Sequence, residues 1–461
     1  MKKIAIPVLL LLIGFINSGC KKLAIDDANI YKYILPAGST VSDAAPLCGS
    51  IKGVMLTGKT YVLGCDVYIN RGDTLIVQPG VTINSTNSAG IVVRGTLISL
   101  GTKAQPNYFT VAGLKKNTTP GIPLASDSAH TGWWRGIVCD TSCTNLILKW
   151  THIDFAGAAY GPVVGPAVEQ KPTSSFCILF QNPKGNFILE DCWLYGSTDD
   201  CIRVANGKIH IFRNTFEKCG GTGGDIVNVK GGTVGTMAYN FFIGTAYNGQ
   251  KASNKGQSAG FPQTNVVMYN STFVNGGLQV IPGQRGSTIN FEEGAEGAFY
   301  NNVAINCRVG FRVVNNPVAD TAHLTYGNNY QYADSLSIAN QFFTFGPVCT
   351  RPQTTDLPNP FTYLPSPYTY GASYDGTPVV QKLSPQFVNY PLPSPYSPWS
   401  VSAIGSYNFH LLANSPLIGK GYTGVVPLVV VPVDAIYGAS EVTPPGADLG
   451  CFQLNGLGNQ H

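Results

Sequence analysis

Two aspartates stand side by side, Asp199 and Asp200, in the stretch GSTDDCIRVANGKIHIFRN (196–214), and a third, Asp225, opens DIVNV (225–229). Laid over one another, FCILF (176–180), DCIRV (200–204) and DIVNV step by 24 and 25 residues, so that Phe176, Asp200 and Asp225 share a column. If each segment is one strand of a stack, the two aspartates of the column lie about 4.8 Å apart, with Asp199 beside them. Carboxylates this close can do three things. One can keep its proton and act as general acid while another serves as base. Asp199, Asp200 and Asp225 can together hold Ca²⁺, a cation that takes several oxygen ligands. Or they can be turn residues that accept backbone N–H groups where strands begin. The same alignment turns Arg203 outward beside Asn228 and leaves Lys230 just past the next strand. With Arg312, these are the cations that could abstract the proton alpha to a uronate carboxylate, helped by Ca²⁺. The plainer reading of each is a solvated side chain on an exposed strand face.

Other reactive residue types are sparse. His152 and His210 alternate with apolar residues and should face outward, and no histidine pairs with a serine or cysteine as a triad would require. Trp133, Trp134 and Tyr195 could stack on sugar rings or pack between strands. Arg71-Gly72-Asp73 precedes a strand and reads as a turn.

The elements that must position these residues recur as an irregular repeat: an apolar-x-apolar run, one or two polar residues often including Asn, then apolar again. Copies are LILKWTHIDF (146–155), FILEDCWLYG (187–196), IHIFRNTFEKC (209–219), GTMAYNFFIG (235–244), VVMYNSTFVNG (266–276) and GAFYNNVAIN (297–306). Thr151, Asp191, Asn214, Asn240, Asn270, Asn301 and Asn328 fall in one column, with steps of 40, 23, 26, 30, 31 and 27 residues, the longest carrying the insert GAAYGPVVGPAVEQKP (157–172). Strands this short at this step are best satisfied by a stacked coil in which each strand bonds to its equivalent one turn away. The expected fold is therefore all-β, a single right-handed parallel β-helix with capped ends. The recurring Asn suits a turn, where its amide bonds along the stack and its backbone tolerates left-handed geometry.

GDTLIVQPGVTI (72–83), GIVVRGTLISLGT (90–102) and WWRGIV (133–138) resemble the opening of secreted right-handed β-helix proteins of the pectate-lyase-like superfamily. SPQFVN (384–389), YNFHLLANSPLIGKG (407–421) and ADLGCFQ (447–453) resemble their closing segment, with Leu449 and Cys451 as departures. FEEGAEGAFYNNVAINCRVGF (291–311) is similar to a late coil of Bacteroidetes-type lipoproteins of this fold. The resemblance covers roughly 55–455 and implies fold more than activity, because the superfamily hosts lyases, hydrolases, esterases and adhesins. DDC before an apolar strand also resembles a polygalacturonase motif, but only Asp199 and Asp200 match. The preceding coil offers TSSFC, the following one GGTGGD without histidine, and no Arg-Ile-Lys occurs.

The ends and composition bound the setting. Met1-Lys2-Lys3, the apolar run Ile4–Ile16 and NSGC make a secretory signal. Cys20 resembles the lipidated cysteine of a bacterial lipoprotein, with Asn17 where that motif usually has Leu. A membrane contact through Cys20 and an outer-membrane location, periplasmic or surface-exposed, are expected. GVVPLVVVPV (424–433) is short and broken by prolines, so it is not a span. The formal charge of +4, two units of it from the leader lysines, gives no reason to expect nucleic acid. Of twelve cysteines, Cys48/Cys65 and Cys139/Cys143 could bridge locally, while Cys177, Cys192, Cys201 and Cys219 are expected to fill the interior.

The expected organisation is a signal and anchor (1–20), a tether and N-terminal cap (21–50), the β-helix (51–340), a Pro- and Tyr-rich region on or beside it (341–405) and a closing coil and cap (406–461). The expected function is a monomeric envelope lipoprotein that contacts polysaccharide near 199–230. The alternatives are a polysaccharide lyase or glycoside hydrolase using the aspartates with Arg203 or Lys230, and a structural or adhesive surface protein. No cofactor is implied beyond the Ca²⁺ that the aspartates could take.

Overall fold

Alternating side chains make short strands, and the strands stack parallel and in register on their counterparts one repeat on. The computed structural model describes residues 39–119, 122–160, 176–221, 223–278, 288–314, 317–333, 384–391, 403–434 and 437–461. The leader with Cys20, most of the tether, most of the 157–172 insert and most of the 341–405 region lie outside them. Among the described residues, ten strands from Gly53–Met55 to Leu324–Gly327 form one face. A 19-stranded sheet supplies two further faces. They are joined through the long strand Thr60–Ile69, whose first half pairs with Thr82–Ser85 and whose second half pairs with Ile91–Val93. The second face includes Thr151–Asp154, Trp193–Tyr195, Thr215–Glu217 and Phe241–Ile243. The third includes Ile178–Phe180, Ile202–Val204, Val227–Val229, Gln250–Ser253, Ile289–Glu292 and Arg312–Val313. This is the expected parallel β-helix.

One inward residue per coil builds each interior column. Leu75, Leu97, Leu146, Phe187 and Ile209 follow one another inside the first face. Inside the second, Phe216, Phe242 and Phe273 stack at 4.7 and 4.8 Å with interplanar angles of 6° and 9°. The coil spacing imposes that geometry, and each aromatic pair adds about 0.5–1.5 kcal/mol to area burial. Cys177, Cys192, Cys201 and Cys219 are buried in the same interior as expected. Cys48 and Cys65 are disulfide-bonded, whereas Cys139 and Cys143 are free thiols.

The Asn column resolves into two adjacent columns. Trp150, Asp191, Arg213, Tyr239, Asn270, Asn301 and Asn328 take positive φ, between 46° and 61°, where the chain turns from the first face to the second. The residue after each of these carries the ladder along the stack. Asn214 Oδ1 accepts from Cys192 N at 2.9 Å, Asn240 Oδ1 from Asn214 N at 3.0 Å, and Ser271 Oγ from Asn240 N at 3.4 Å. Asn302 Oδ1 accepts from Ser271 N and Asn329 Oδ1 from Asn302 N, at 2.9 and 3.1 Å. Asp191, Asn270, Asn301 and Asn328 thus belong one residue earlier than the single column placed them.

The C-terminal segment was expected to cap the last coil. Its described contacts are lateral, and it forms a strap along the sides of the stack. Phe409 and Phe452 pack on the outward ring of Phe241, at 4.7 and 5.4 Å. Val431, in the apolar run at 424–433, packs over Ile76, Ile98, Ile147 and Ile188 on the outside of the first face. A polar latch holds it there: Ser440 donates from N and Oγ to Glu190 at 2.7 and 2.6 Å, and His210 Nε2 stands 2.9 Å from the same carboxylate. His210 therefore faces outward as expected but is buried under the strap.

Candidate functional site

The outward column of the third face changes character along the stack. Val92, Val138 and Leu179 occupy it first, then Arg203, Asn228, Lys251, Asn290 and Arg312. The alternation of the strands fixes this, since Ile202, Val204, Val227 and Val229 point inward. The strand register also places Phe176, Asp200 and Asp225 in one column just before these strands, continued by Asn248.

Gly224 permits the approach of the two aspartate turns. A Cβ there would lie 2.1 Å from the Asp199 carbonyl carbon, which accounts for the glycine run before Asp225. Asp199 Oδ1 accepts from Asp200 N at 2.8 Å, and Asp200 Oδ1 accepts from Asp225 N at 2.8 Å. Both act as turn residues. Asp200 Oδ2 also receives Arg203 at 2.6 Å, through Nε and through the terminal NH2 nitrogen, and Asn228 Nδ2 at 3.0 Å. The Arg203 Cζ stands over the Phe176 ring, 4.7 Å from its centroid.

Asp225 is bonded in the same way. Its Oδ1 takes Asn248 Nδ2 at 2.7 Å, and its Oδ2 takes Asn228 Nδ2 at 3.2 Å and Lys251 Nζ at 3.3 Å. Lys251 also reaches Glu292 at 2.9 Å, and Asn290 Nδ2 donates to Glu292 at 2.8 Å. Lys251, on the next coil, pairs with Asp225, and Lys230 lies half-buried just past its strand.

The expectation of solvated cations on an exposed face does not hold for Arg203 and Arg312, which are 9% and 1% exposed, while Lys230 is half-buried. Lys251 is 3% exposed, and Asp200 and Asp225 are 3% and 4% exposed. Burial pushes the Asp200 carboxyl up, Arg203 pulls it down, and Asp225 and Asp199 push it up again, for a net rise. Three amide oxygens in this network have no hydrogen-bond partner: Oδ1 of Asn228, Asn248 and Asn290, all buried.

The remaining expected residues lie elsewhere. Trp134 is buried with its indole N–H on Asp154 O at 2.8 Å, and Tyr195 is buried with its hydroxyl on the Asn117 backbone. Tyr108, His152 and Trp193 form an outward stack on the second face, at 4.7 and 5.6 Å, so their ring faces are largely turned to one another. Sequence reading missed the buried pair Lys218–Asp127, 2.7 Å apart. It also missed one group with the spacing of metal ligands, Glu296, Asp320 and His323. There His323 Nδ1 already bonds Asp320 at 2.8 Å, and its side chain is 69% exposed. Comparison with protein families, with curated proteins and with solved structures finds no match to this chain.

Proposed function

We propose that this chain is a cell-envelope lipoprotein, anchored in the outer membrane through Cys20, whose β-helix holds polysaccharide against the third face without turning it over. The observation that carries this reading is the switch of the outward column from Val92, Val138 and Leu179 to Arg203, Asn228, Lys251, Asn290 and Arg312. A merely structural stack has no need of it, since apolar residues hold the same column three coils earlier. What supports holding without turnover is the bonding of the carboxylates. Every oxygen of Asp200 and Asp225 already accepts at least one N–H or ammonium donor, so neither is poised at a substrate atom.

A second reading, a polysaccharide lyase or glycoside hydrolase, draws support from the upward shift of Asp200 beside a second carboxylate. One assay separates the two. The full chain in detergent is incubated with uronate-containing and neutral polysaccharides, with Ca²⁺ or EDTA, and followed by unsaturated-product absorbance and by reducing ends. Retention without release is the expected result. Release by the wild type that is lost in an Asp200→Asn variant shown to be folded by circular dichroism would replace the binding reading with the enzymatic one. Anchoring is checked separately by incorporation of a fatty-acid label, expected in the wild type and absent in Cys20→Ala.

A further inference from the structure

Three metal-ligating side chains meet at the last two strands of the first face, Glu296–Tyr300 and Leu324–Gly327. Asn265, Glu296 and His323 stand one above another at the starts of consecutive coils. Asn265 pairs in register with Glu296, and His323 precedes Leu324, which pairs with Gly297. Phe299 points into the core, so alternation sends Glu296 outward. Asp320 is drawn over the same coil by its N–H on Ala295 O at 3.0 Å, and the His323 N–H closes the turn on Asp320 O at 3.2 Å. The ligand atoms of Glu296, Asp320 and His323 all lie within 4.8 Å of one another. Unlike the ion pairs of the third face, this group is open to water: the His323 side chain is 69% exposed, and those of Glu296 and Asp320 are 21% and 23% exposed.

A plain surface ion pair needs one carboxylate for one imidazole. Here two converge on the same nitrogen, with His323 Nδ1 standing 2.8 Å from Asp320 Oδ2 and 3.9 Å from Glu296 Oε2. Tetrahedral zinc, with bonds of about 2.0–2.1 Å, sets its ligand atoms about 3.3–3.4 Å apart. The two distances bracket that value, so small rotations of exposed side chains seat an ion between them. Amides from the preceding coil steady both carboxylates, as the groups behind metal ligands do. Asn265 Nδ2 donates to Glu296 Oε1 at 2.7 Å, and Gln263 Nε2 donates to Asp320 Oδ2 at 3.0 Å. Among the described residues no lysine or arginine pairs with either carboxylate. With a neutral imidazole the group therefore carries two formal negative charges, which a divalent ion balances. The donor set also selects the ion. Nitrogen beside two carboxylates suits a first-row transition metal, whereas calcium takes about six to eight oxygens.

We propose that Glu296, Asp320 and His323 bind a divalent transition-metal ion of the zinc class, through one oxygen of each carboxylate and His323 Nδ1, with water completing the coordination. This site is separate from the third face and does not depend on the polysaccharide reading. The test is calorimetric titration with Zn²⁺ of the full chain in detergent, free of any histidine tag and stripped with EDTA. Expected are one zinc per chain, affinity weakened about tenfold or more in His323→Ala and in Glu296→Gln, and no displacement by about a hundredfold excess of Ca²⁺. All three side chains reach solvent, so both variants should fold, which circular dichroism checks. No stoichiometric uptake of zinc, uptake undiminished in either folded variant, or displacement by Ca²⁺ would overturn the proposal.

Discussion

Gln250 occupies a place that its neighbours fill with aliphatic groups. In the inward column of the third face it follows Ile178, Ile202 and Val227 and precedes Ile289, and it is fully buried. Neither Oε1 nor Nε2 has a hydrogen-bond partner. The backbone is well paired there, with Gln250 N on Thr288 O at 2.9 Å, so the anomaly belongs to the side chain alone. Burying an amide without compensation costs about 1–3 kcal/mol on the scale set by protein substitutions. Met is unbranched like Gln and close to it in shape, so Gln250→Met removes that penalty with little repacking. The variant should be more stable by about 1–3 kcal/mol.

The assay is thermal and denaturant unfolding of wild type and variant side by side. Unfolding entropy scales with chain length, so for a chain this long the gain appears as a rise in Tm of about 1–3 °C. Ile289→Val, next in the same column, is the control, and should lose about 0.5–1.5 kcal/mol if the measurement reads this part of the stack. Most substitutions destabilise, which makes a gain in stability a demanding outcome. An unchanged or lowered Tm for Gln250→Met, with the control behaving as stated, would refute the reasoning. The amide would then have a partner inside the coil, such as an enclosed water.

The ladder makes the opposite prediction. Asn240→Ala strips acceptors from Asn214 N and Nδ2 and a donor from Ile211 O, and should cost about 2–4 kcal/mol in denaturant unfolding. The latch is sensitive to acid. Burial pushes Glu190 up, but His210, Lys149 and Ser440 outweigh it and hold its pKa at about 2, against an ordinary 4.5. A depressed carboxylate stabilises fully above its unfolded value and loses that contribution as pH falls through the folded one, here between about 4.5 and about 2. Glu190→Gln should flatten the stability profile over that window, as read by circular dichroism in acid titration. Cys201 and Cys139 lie in the interior with thiols pushed well up by burial, and Cys307 and Cys451 are pushed up to about 12. All four should resist a thiol-specific reagent in the native state and react on unfolding. Asp200→Asn takes the charge from the carboxylate that Arg203 and Asn228 bond and should destabilise by about 3–5 kcal/mol, measured by chemical unfolding.

The β-helix was legible because its signal is one of period. Apolar alternation in short runs at steps of 20 to 30 residues, with a polar residue closing each run, leaves few other architectures. The register of the Asn column was harder to see, for a chemical reason. Asn suits both a left-handed turn position and the ladder position after it. In pairs such as Asn301–Asn302 and Asn328–Asn329 the two roles sit side by side, so spacing alone cannot separate them. Arg213–Asn214 and Tyr239–Asn240 separate them, because there the left-handed residue is not Asn.

The aspartates were legible for the same reason as the fold. Regular steps of 24 and 25 residues put Asp200 and Asp225 on consecutive coils, and the register keeps them there. The rest of the network was hidden by loop length. Lys251 and Asn290 are neighbours in register, yet they stand 39 residues apart in sequence (251 to 290), against the 24 and 25 that relate the aspartate strands. Burial was hidden too. A strand that alternates Ile202, Arg203 and Val204 reads as one face in and one face out, and nothing local tells whether the outward face meets water. On the first face that outward side lies under a strap about 250 residues away in sequence, through Ser440 and Glu190. Period specifies what points out of a solenoid, whereas contacts distant in the chain decide whether it meets solvent. That is why the charges of the third face could be placed from sequence while their pairing, and the orphaned amides beside them, required the folded chain.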